Sequence, residues 1–305
     1  MFHISLSSHD EPLFRCEEDL NYGFNCLALG VLETDSALLA EGFLSTHFHA
    51  ITQTDNPGEV MSRTRYAYTR YFNAKYGRKG RLGQRNGFIL EVDGFYHRLA
   101  VLNYVNRQGL HHGVVPTPFA YPHCSVNTFF AETLGKKQTP ELLPDNQKYR
   151  FLPERASVPS YRMSTSGLLL REDVLEVAQV EAIYGTPRNY LFQMNRIGDE
   201  VMMEEQTKES STSPLITLDL IEKGQDVSAL LRSNSGKYNP NAITDVELCG
   251  LIDKHFVPKY FKGESVYDSS MSERSRLYAV IMRDFWATYH KYTTPAQLQR
   301  CLVIK

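Results

Sequence analysis

The first 135 residues alternate between two hydrophobic periods, and this alternation limits the fold more than any other feature of the chain. A repeat of 2 marks a strand and a repeat near 3.6 marks a helix. Residues 3–7, 38–44, 48–52 and 88–92 read as strands. Residues 19–32 place Phe24, Leu27, Leu29 and Val31 on a helical pattern. The run Asn56-Pro57-Gly58-Glu59 opens a second helix. Asn caps the free amides, Pro brings a preset φ and no amide hydrogen, and Glu follows three residues after the cap. Met61, Thr64, Tyr68, Tyr71 and Phe72 form its inner face, and a third helix covers residues 93–108. The order β-α-β-β-α-β-α predicts an antiparallel sheet with helices on one face, an α+β architecture.

Beyond that block the pattern changes. Pro140, Pro144, Pro153 and Pro159 punctuate a polar stretch over 136–161, which reads as a linker or extended wrap. Residues 168–184, 244–256 and 272–289 are helical and amphipathic, and a last short helix starts at Thr294-Pro295. Residues 199–214 are polar and acidic and read as an exposed loop. The expected division is a first domain over 1–135, a linker over 136–165 and a helical region over 166–305. No apolar run reaches the roughly 18 residues of a membrane span. The start Met1-Phe2-His3-Ile4-Ser5-Leu6 reads as a strand and lacks the basic head and apolar stretch of a signal peptide. The expectation is a cytoplasmic, nucleoid-associated protein with no membrane partner. Five separated cysteines (Cys16, Cys26, Cys124, Cys249, Cys301) form no CxxC pair. Neither a zinc ribbon nor a disulfide framework is suggested, and a reducing compartment fits.

The formal net charge of −2 and pI of about 6.6 exclude a uniformly basic nucleic-acid-coating protein. The distribution says more. Residues 60–112 hold ten basic residues, among them Arg63, Arg70, Arg78, Lys79, Arg81 and Arg85, against only Glu91 and Asp93. Such an excess suits a phosphate-binding surface, or merely a solvated helix face and loop. Residues 150–230 are acidic by contrast. Tyr66, Tyr68, Tyr71, Phe72 and Tyr76 interleave the basic positions as core residues or as platforms for unpaired bases.

One short motif points to chemistry: Thr46-His47-Phe48-His49-Ala50. Residues two apart on a strand share a face, so His47 and His49 either hold a metal together or pack as an ordinary pair. On the helix near its end, Tyr104 and Gln108 are four residues apart and so are neighbours. Tyr104 offers a phenol and Gln108 a neutral oxygen ligand for a hard cation, or both are ordinary helix residues. His97, His111, His112 and His123 lie in the same region and read as structural or DNA-contacting.

Taken in order, these segments resemble the single-tyrosine HUH transposases, in particular the REP-associated tyrosine transposase branch (IS200-like). The resemblance runs through Leu38-Leu39-Ala40-Glu41-Gly42-Phe43-Leu44, His47-Phe48-His49, Tyr68-Thr69-Arg70-Tyr71-Phe72-Asn73 and Gly80-Arg81-Leu82-Gly83-Gln84. It continues through Tyr104-Val105-Asn106-Arg107-Gln108-Gly109-Leu110 and Pro118-Phe119-Ala120-Tyr121-Pro122-His123-Cys124-Ser125. It covers residues 1–135. It implies a ferredoxin-like antiparallel sheet with helices, the HUH nuclease fold, followed here by a mainly helical C-terminal extension. It implies Tyr104 as nucleophile, and Mg²⁺ or Mn²⁺ held by His47, His49 and Gln108. The implied activity is cleavage and rejoining of single-stranded or hairpin DNA through a 5′-phosphotyrosine, in a monomer or homodimer. The chain departs from the pattern where relatives carry Pro-Asn before the first histidine and Asn-Pro-Val on the nucleophile helix; Ser45-Thr46 and Gln108-Gly109-Leu110 stand there. A non-cleaving, domesticated protein that recognises hairpin or repeat DNA is the competing expectation. For residues 272–302 the alternatives are a small DNA-binding unit or a helical cap on the first domain.

Overall fold

Four strands, β1 (Phe2–Ser7), β2 (Ala37–Leu44), β3 (His47–Gln53) and β4 (Phe88–Glu91), pair antiparallel in the order β2-β3-β1-β4. The structure is a computed structural model, and it describes residues 1–153, 159–196, 200–222, 238–263 and 265–304. The sheet and the helices around it make an α+β protein. Helix α1 (Glu17–Glu33) follows β1 and helix α2 (Pro57–Tyr76) follows β3. They cover the sheet face that carries Phe43 and Phe48, whose rings stack at 5.1 Å. Phe14 meets Phe43 edge-on at 5.3 Å and touches Tyr68 of α2. The start of α2 is capped as its sequence predicts: Asn56 Oδ1 accepts from the Glu59 amide at 3.1 Å.

Helix α3 (Phe95–Asn106) packs on the opposite face, against β2 and β3. The expectation of helices on one face is therefore corrected. The reason lies in β2: every position after Ala37 is buried, so its run of apolar residues needs a cover on both sides. The third helix is also shorter than its pattern. It ends at Asn106, the chain turns at Arg107, and a short helix α4 (Gln108–His111) follows.

The later helices build onto this frame. In order they are α5 (Arg171–Val174), α6 (Val177–Tyr184), α7 (Pro187–Asn195), α8 (Glu200–Lys208) and α9 (Leu218–Ile221). Val180, Tyr184, Tyr190, Met194, Met202, Ile216 and Ile221 belong to the same apolar cluster as the sheet. The single helix expected over 168–184 is split at Leu175, which bridges to Leu38 of β2, and the Glu176 amide donates to the Leu38 carbonyl at 2.9 Å. Part of the expected 199–214 loop is helix α8 instead, with Met202 and Gln206 buried on one face; Asp199 lies outside the described residues. The 136–165 stretch is tied to α1, because Asn25 Nδ2 donates to the carbonyls of Phe151 and Gly167 at 3.1 and 2.7 Å. Its residues 154–158 are outside the described set, as are residues 197–199 and 223–230 of the acidic stretch.

The remaining helices are α10 (Asp245–Leu251), α11 (Val257–Tyr260), α12 (Met271–Tyr289) and α13 (Pro295–Cys301), with a π-helical turn over Ile252–Phe256. They enclose a second core of Leu248, Ile252, Val257, Leu277, Ile281, Phe285 and Leu298. Arg15 joins the two cores: its guanidinium is paired with Asp253 at 2.9 Å and donates to the Cys301 carbonyl at 3.1 Å. Ser45 Oγ donates to Asp245, which also pairs with the buried Arg300. Arg274 donates to the Val303 carbonyl. Arg300, which is buried, and Arg274, which is half-buried, thus serve contacts within this unit. Among the described residues no helix is long and apolar enough to cross a membrane.

Candidate active site

The strand register puts the two motif histidines on the α3 side. His49 lies between Ser5 and Gly42, and His47 between Ser7 and Leu44. Phe48 points the other way into the core, as the alternation requires. Gly42 admits the helix end to this face. A Cβ there would stand 3.0 Å from the Val105 carbonyl and 3.3 Å from the Gln108 side chain.

Both histidines are fully buried and each is held through Nδ1. His47 Nδ1 lies 3.2 Å from Thr46 Oγ1, and His49 Nδ1 lies 2.8 Å from Nε2 of His3, whose ring stacks on it. With Nδ1 engaged in this way, Nε2 would be the atom on each ring that faces a cation held there. His47 Nε2 is 3.2 Å from Gln108 Oε1. The break at Arg107 does not separate Gln108 from the site. The Tyr104 ring meets His49 edge-on at 5.2 Å. The structure therefore brings His47, His49, Tyr104 and Gln108 together.

Burial sets the protonation states. It lowers His3 to about 3 and His47 to about 4, and the Gln108 hydrogen bond offsets only part of the His47 shift. His49 falls well below its ordinary value through burial and then its histidine neighbours. Neutral imidazole is the form that coordinates metals. Two neutral imidazoles and one amide oxygen are ligand types that a divalent cation accepts, and binding there would replace the contact between His47 Nε2 and Gln108 Oε1. For Tyr104, burial and then the Glu222 carboxylate raise the phenol well above its ordinary value, while Gln108 opposes them.

Three contributors, His3, Glu222 and Glu209, had no local signal in the sequence, and His112 joins them from the histidines already singled out. His3 supports His49. Glu222 Oε1 accepts from the Tyr104 hydroxyl at 2.9 Å and lies 2.7 Å from His111 Nε2. Glu209 caps α3: its carboxylate accepts from the amides of Tyr96 and His97 at 3.1 and 3.4 Å, from the Phe95 amide, and lies 2.9 Å from His97 Nδ1. Partial burial opposes ionisation of Glu209, but His97 and these amides outweigh it and hold the carboxyl below its ordinary range. His112 packs beside His47 with ring centres 5.0 Å apart. A cavity of about 450 Å³ opens beside Tyr104 and His111, bounded by α8 and α9.

The basic candidates fall into two groups. Arg63 and Arg70 sit on α2, across the sheet from Tyr104. Arg63 is paired with Glu33 and Glu59, and Arg70 lies over the Tyr66 ring. Arg78, Lys79, Arg81 and Arg85 belong to the loop after α2. Arg78 is paired with Glu11 and Arg81 donates to the Arg85 carbonyl, while Lys79, Arg81 and Arg85 are exposed. This loop is fixed at the site's end of the sheet, because the Gln84 amide donates to the carbonyl of Ser7, the strand partner of His47.

No known protein-family profile matches the chain. No curated protein is detectably similar to it. Among solved structures, that of a REP-associated tyrosine transposase bound to a REP hairpin is similar at a TM-score of 0.38 and 13% identity, over 44% of this chain and 79% of that one. A likeness this slight transfers no residue roles.

Proposed function

We propose that this chain is a DNA transposase-like enzyme that cuts and rejoins single-stranded or hairpin DNA, with Tyr104 as nucleophile. The observation that supports the reading is the meeting of Tyr104, His47, His49 and Gln108 on one sheet face, with His47 and Gln108 in contact across 61 residues of sequence. His47, His49 and Gln108 would hold Mg²⁺ or Mn²⁺. Bound there, the cation would polarise the scissile phosphate and stabilise charge on its oxygens. The phenol oxygen of Tyr104 attacks phosphorus, its proton leaves, and the bond to the 3′-oxygen breaks. The products are a 5′-phosphotyrosine and a free 3′-hydroxyl, and attack by that hydroxyl reverses the step without ATP. Helix α3 orients the phenol, and Glu222 is the carboxylate within reach of its proton. Lys79, Arg81 and Arg85 supply positive charge beside the site for the DNA backbone.

The deciding experiment incubates the full chain with labelled hairpin-bearing single-stranded DNA and Mn²⁺, followed by a denaturing gel. A covalent adduct is expected, and Tyr104→Phe should abolish it while binding persists. An adduct that survives Tyr104→Phe would remove Tyr104 from this role. One observation favours the alternative of a non-cleaving DNA-binding protein: Tyr104 is only 7% exposed and is held by Glu222. That reading predicts hairpin binding and no adduct with any divalent metal.

A further inference from the structure

The strand motif does not account for a second group of ligand atoms beside it. His111, His112 and Glu222 each offer one atom, and these lie within 4.8 Å of one another. The 2.7 Å contact between His111 and Glu222 is explained by an imidazole N–H donating to a carboxylate. His112 has no such explanation. It is 1% exposed, and neither of its ring nitrogens has a hydrogen-bond partner among the described residues. Burying an imidazole whose donor and acceptor are both unmatched is unfavourable, because neither recovers the hydrogen bonds it made to water. Its ring contacts include two more histidines, His47 and His111, at 5.0 and 4.9 Å.

We propose that His111, His112 and Glu222 form a divalent-cation site of their own, of the class that takes Zn²⁺. Two imidazoles and a carboxylate are the ligand types of three-ligand zinc centres, whose bonds are roughly 2.0–2.2 Å long. Binding would draw the three atoms, now up to 4.8 Å apart, onto one ion. The carboxylate of Glu222 brings a negative charge to this set that the neutral Gln108 of the strand motif does not, and that favours a divalent cation here. The site links Glu222, a residue of the C-terminal extension, to the short helix that follows α3 and to the residue after it. The inference does not depend on the strand-transfer reading.

The test titrates the metal-stripped full chain with Co²⁺ and follows visible absorption. Wild type should give an intense d–d band. Glu222→Gln and His111→Asn should weaken Co²⁺ binding roughly tenfold or more. His49→Asn, which alters only the strand motif, should leave the band in place. A band lost with His49→Asn but indifferent to Glu222→Gln would place the ion at the strand motif, overturning this inference and leaving the proposed function standing. No Co²⁺ binding by wild type would also overturn it. Thermal melts followed by circular dichroism check that each variant folds. A variant-free check is an anomalous difference map from wild-type crystals soaked in Zn²⁺. An ion bonded to His112 supports the site, and an ion found only elsewhere refutes it.

Discussion

The Tyr104 hydroxyl donates to Oε1 of Glu222 at 2.9 Å, and the two residues are 118 positions apart. The contact holds the phenol oxygen against an anion, which after burial is the strongest influence keeping Tyr104 protonated. Replacing Glu222 with Gln keeps the shape and removes the charge. In metal-free protein the Tyr104 pKa should fall, since one of the two causes raising it is gone. Carbon-13 tyrosine NMR across alkaline pH would follow the ring directly. An unchanged or higher value in Glu222→Gln would show that the carboxylate does not govern the phenol.

Glu209 substitutes for a missing cap. Gly94 precedes α3 and offers no side-chain oxygen, so the first amides of the helix bond to a carboxylate more than 110 residues away. Glu209→Ala should cost about 1–2 kcal/mol, the size of a lost N-cap. Gly94→Ala should also destabilise: φ there is 93°, and the new Cβ would stand 2.5 Å from Glu209 Oε2. Because both changes break the same contact, the double variant should lose less than the sum of the singles. Urea unfolding of the four proteins measures this, and strict additivity would argue against a shared cause.

How much of this was legible in the sequence depended on the distance over which each signal acts. The Asn56 cap, the inner face of α2 and the alternation of β3, with Phe48 on one face and the two histidines on the other, are local, and each could be read from spacing. Helix α8 was missed because only Met202 and Gln206 of its nine residues are buried, too few to show a period. The split after Leu175 comes from a bridge to β2 that no helical pattern reports. Glu209, Glu222 and His3 serve the site through contacts 46 to 118 residues away, and isolated acids or histidines carry no mark of such partners. The basic cluster was real as composition, but Glu11 and Glu33, outside its window, neutralise Arg78 and Arg63.

Acid should weaken the fold through its buried histidines. Burial lowers His3 to about 3 and His47 and His123 to about 4. Above roughly pH 6.5 the rings are neutral in both folded and unfolded chains. Below it the unfolded chain takes up protons that the native state refuses. Stability should therefore fall between about pH 6.5 and about pH 4, by up to ~1.4 kcal/mol per pH unit for each such histidine. Urea midpoints measured at several pH values with a chelator present would show the slope. A flat profile between pH 7 and pH 5 would contradict the burial of neutral rings.

Arg171 and Glu41 tie the helices after the linker to the sheet. Glu41 is fully buried on β2, and its carboxylate accepts from Arg171 Nε while the guanidinium lies over Phe24 with a separation of 4.9 Å. Burial pushes the Glu41 pKa up, and Arg171 holds it back. Arg171→Met keeps most of the apolar contact with Phe24 and leaves the carboxylate without its counter-charge. Breaking a buried pair from one side costs about 3–5 kcal/mol, whereas replacing both partners with apolar residues is often close to neutral. Arg171→Met should therefore be strongly destabilised and should take up a proton at Glu41, while Glu41→Leu with Arg171→Met should recover most of the loss. Denaturant midpoints of the two proteins separate the cases: a single variant as stable as wild type, or a double no better than the single, would mean that the ion pair is not what fastens α5 to the sheet.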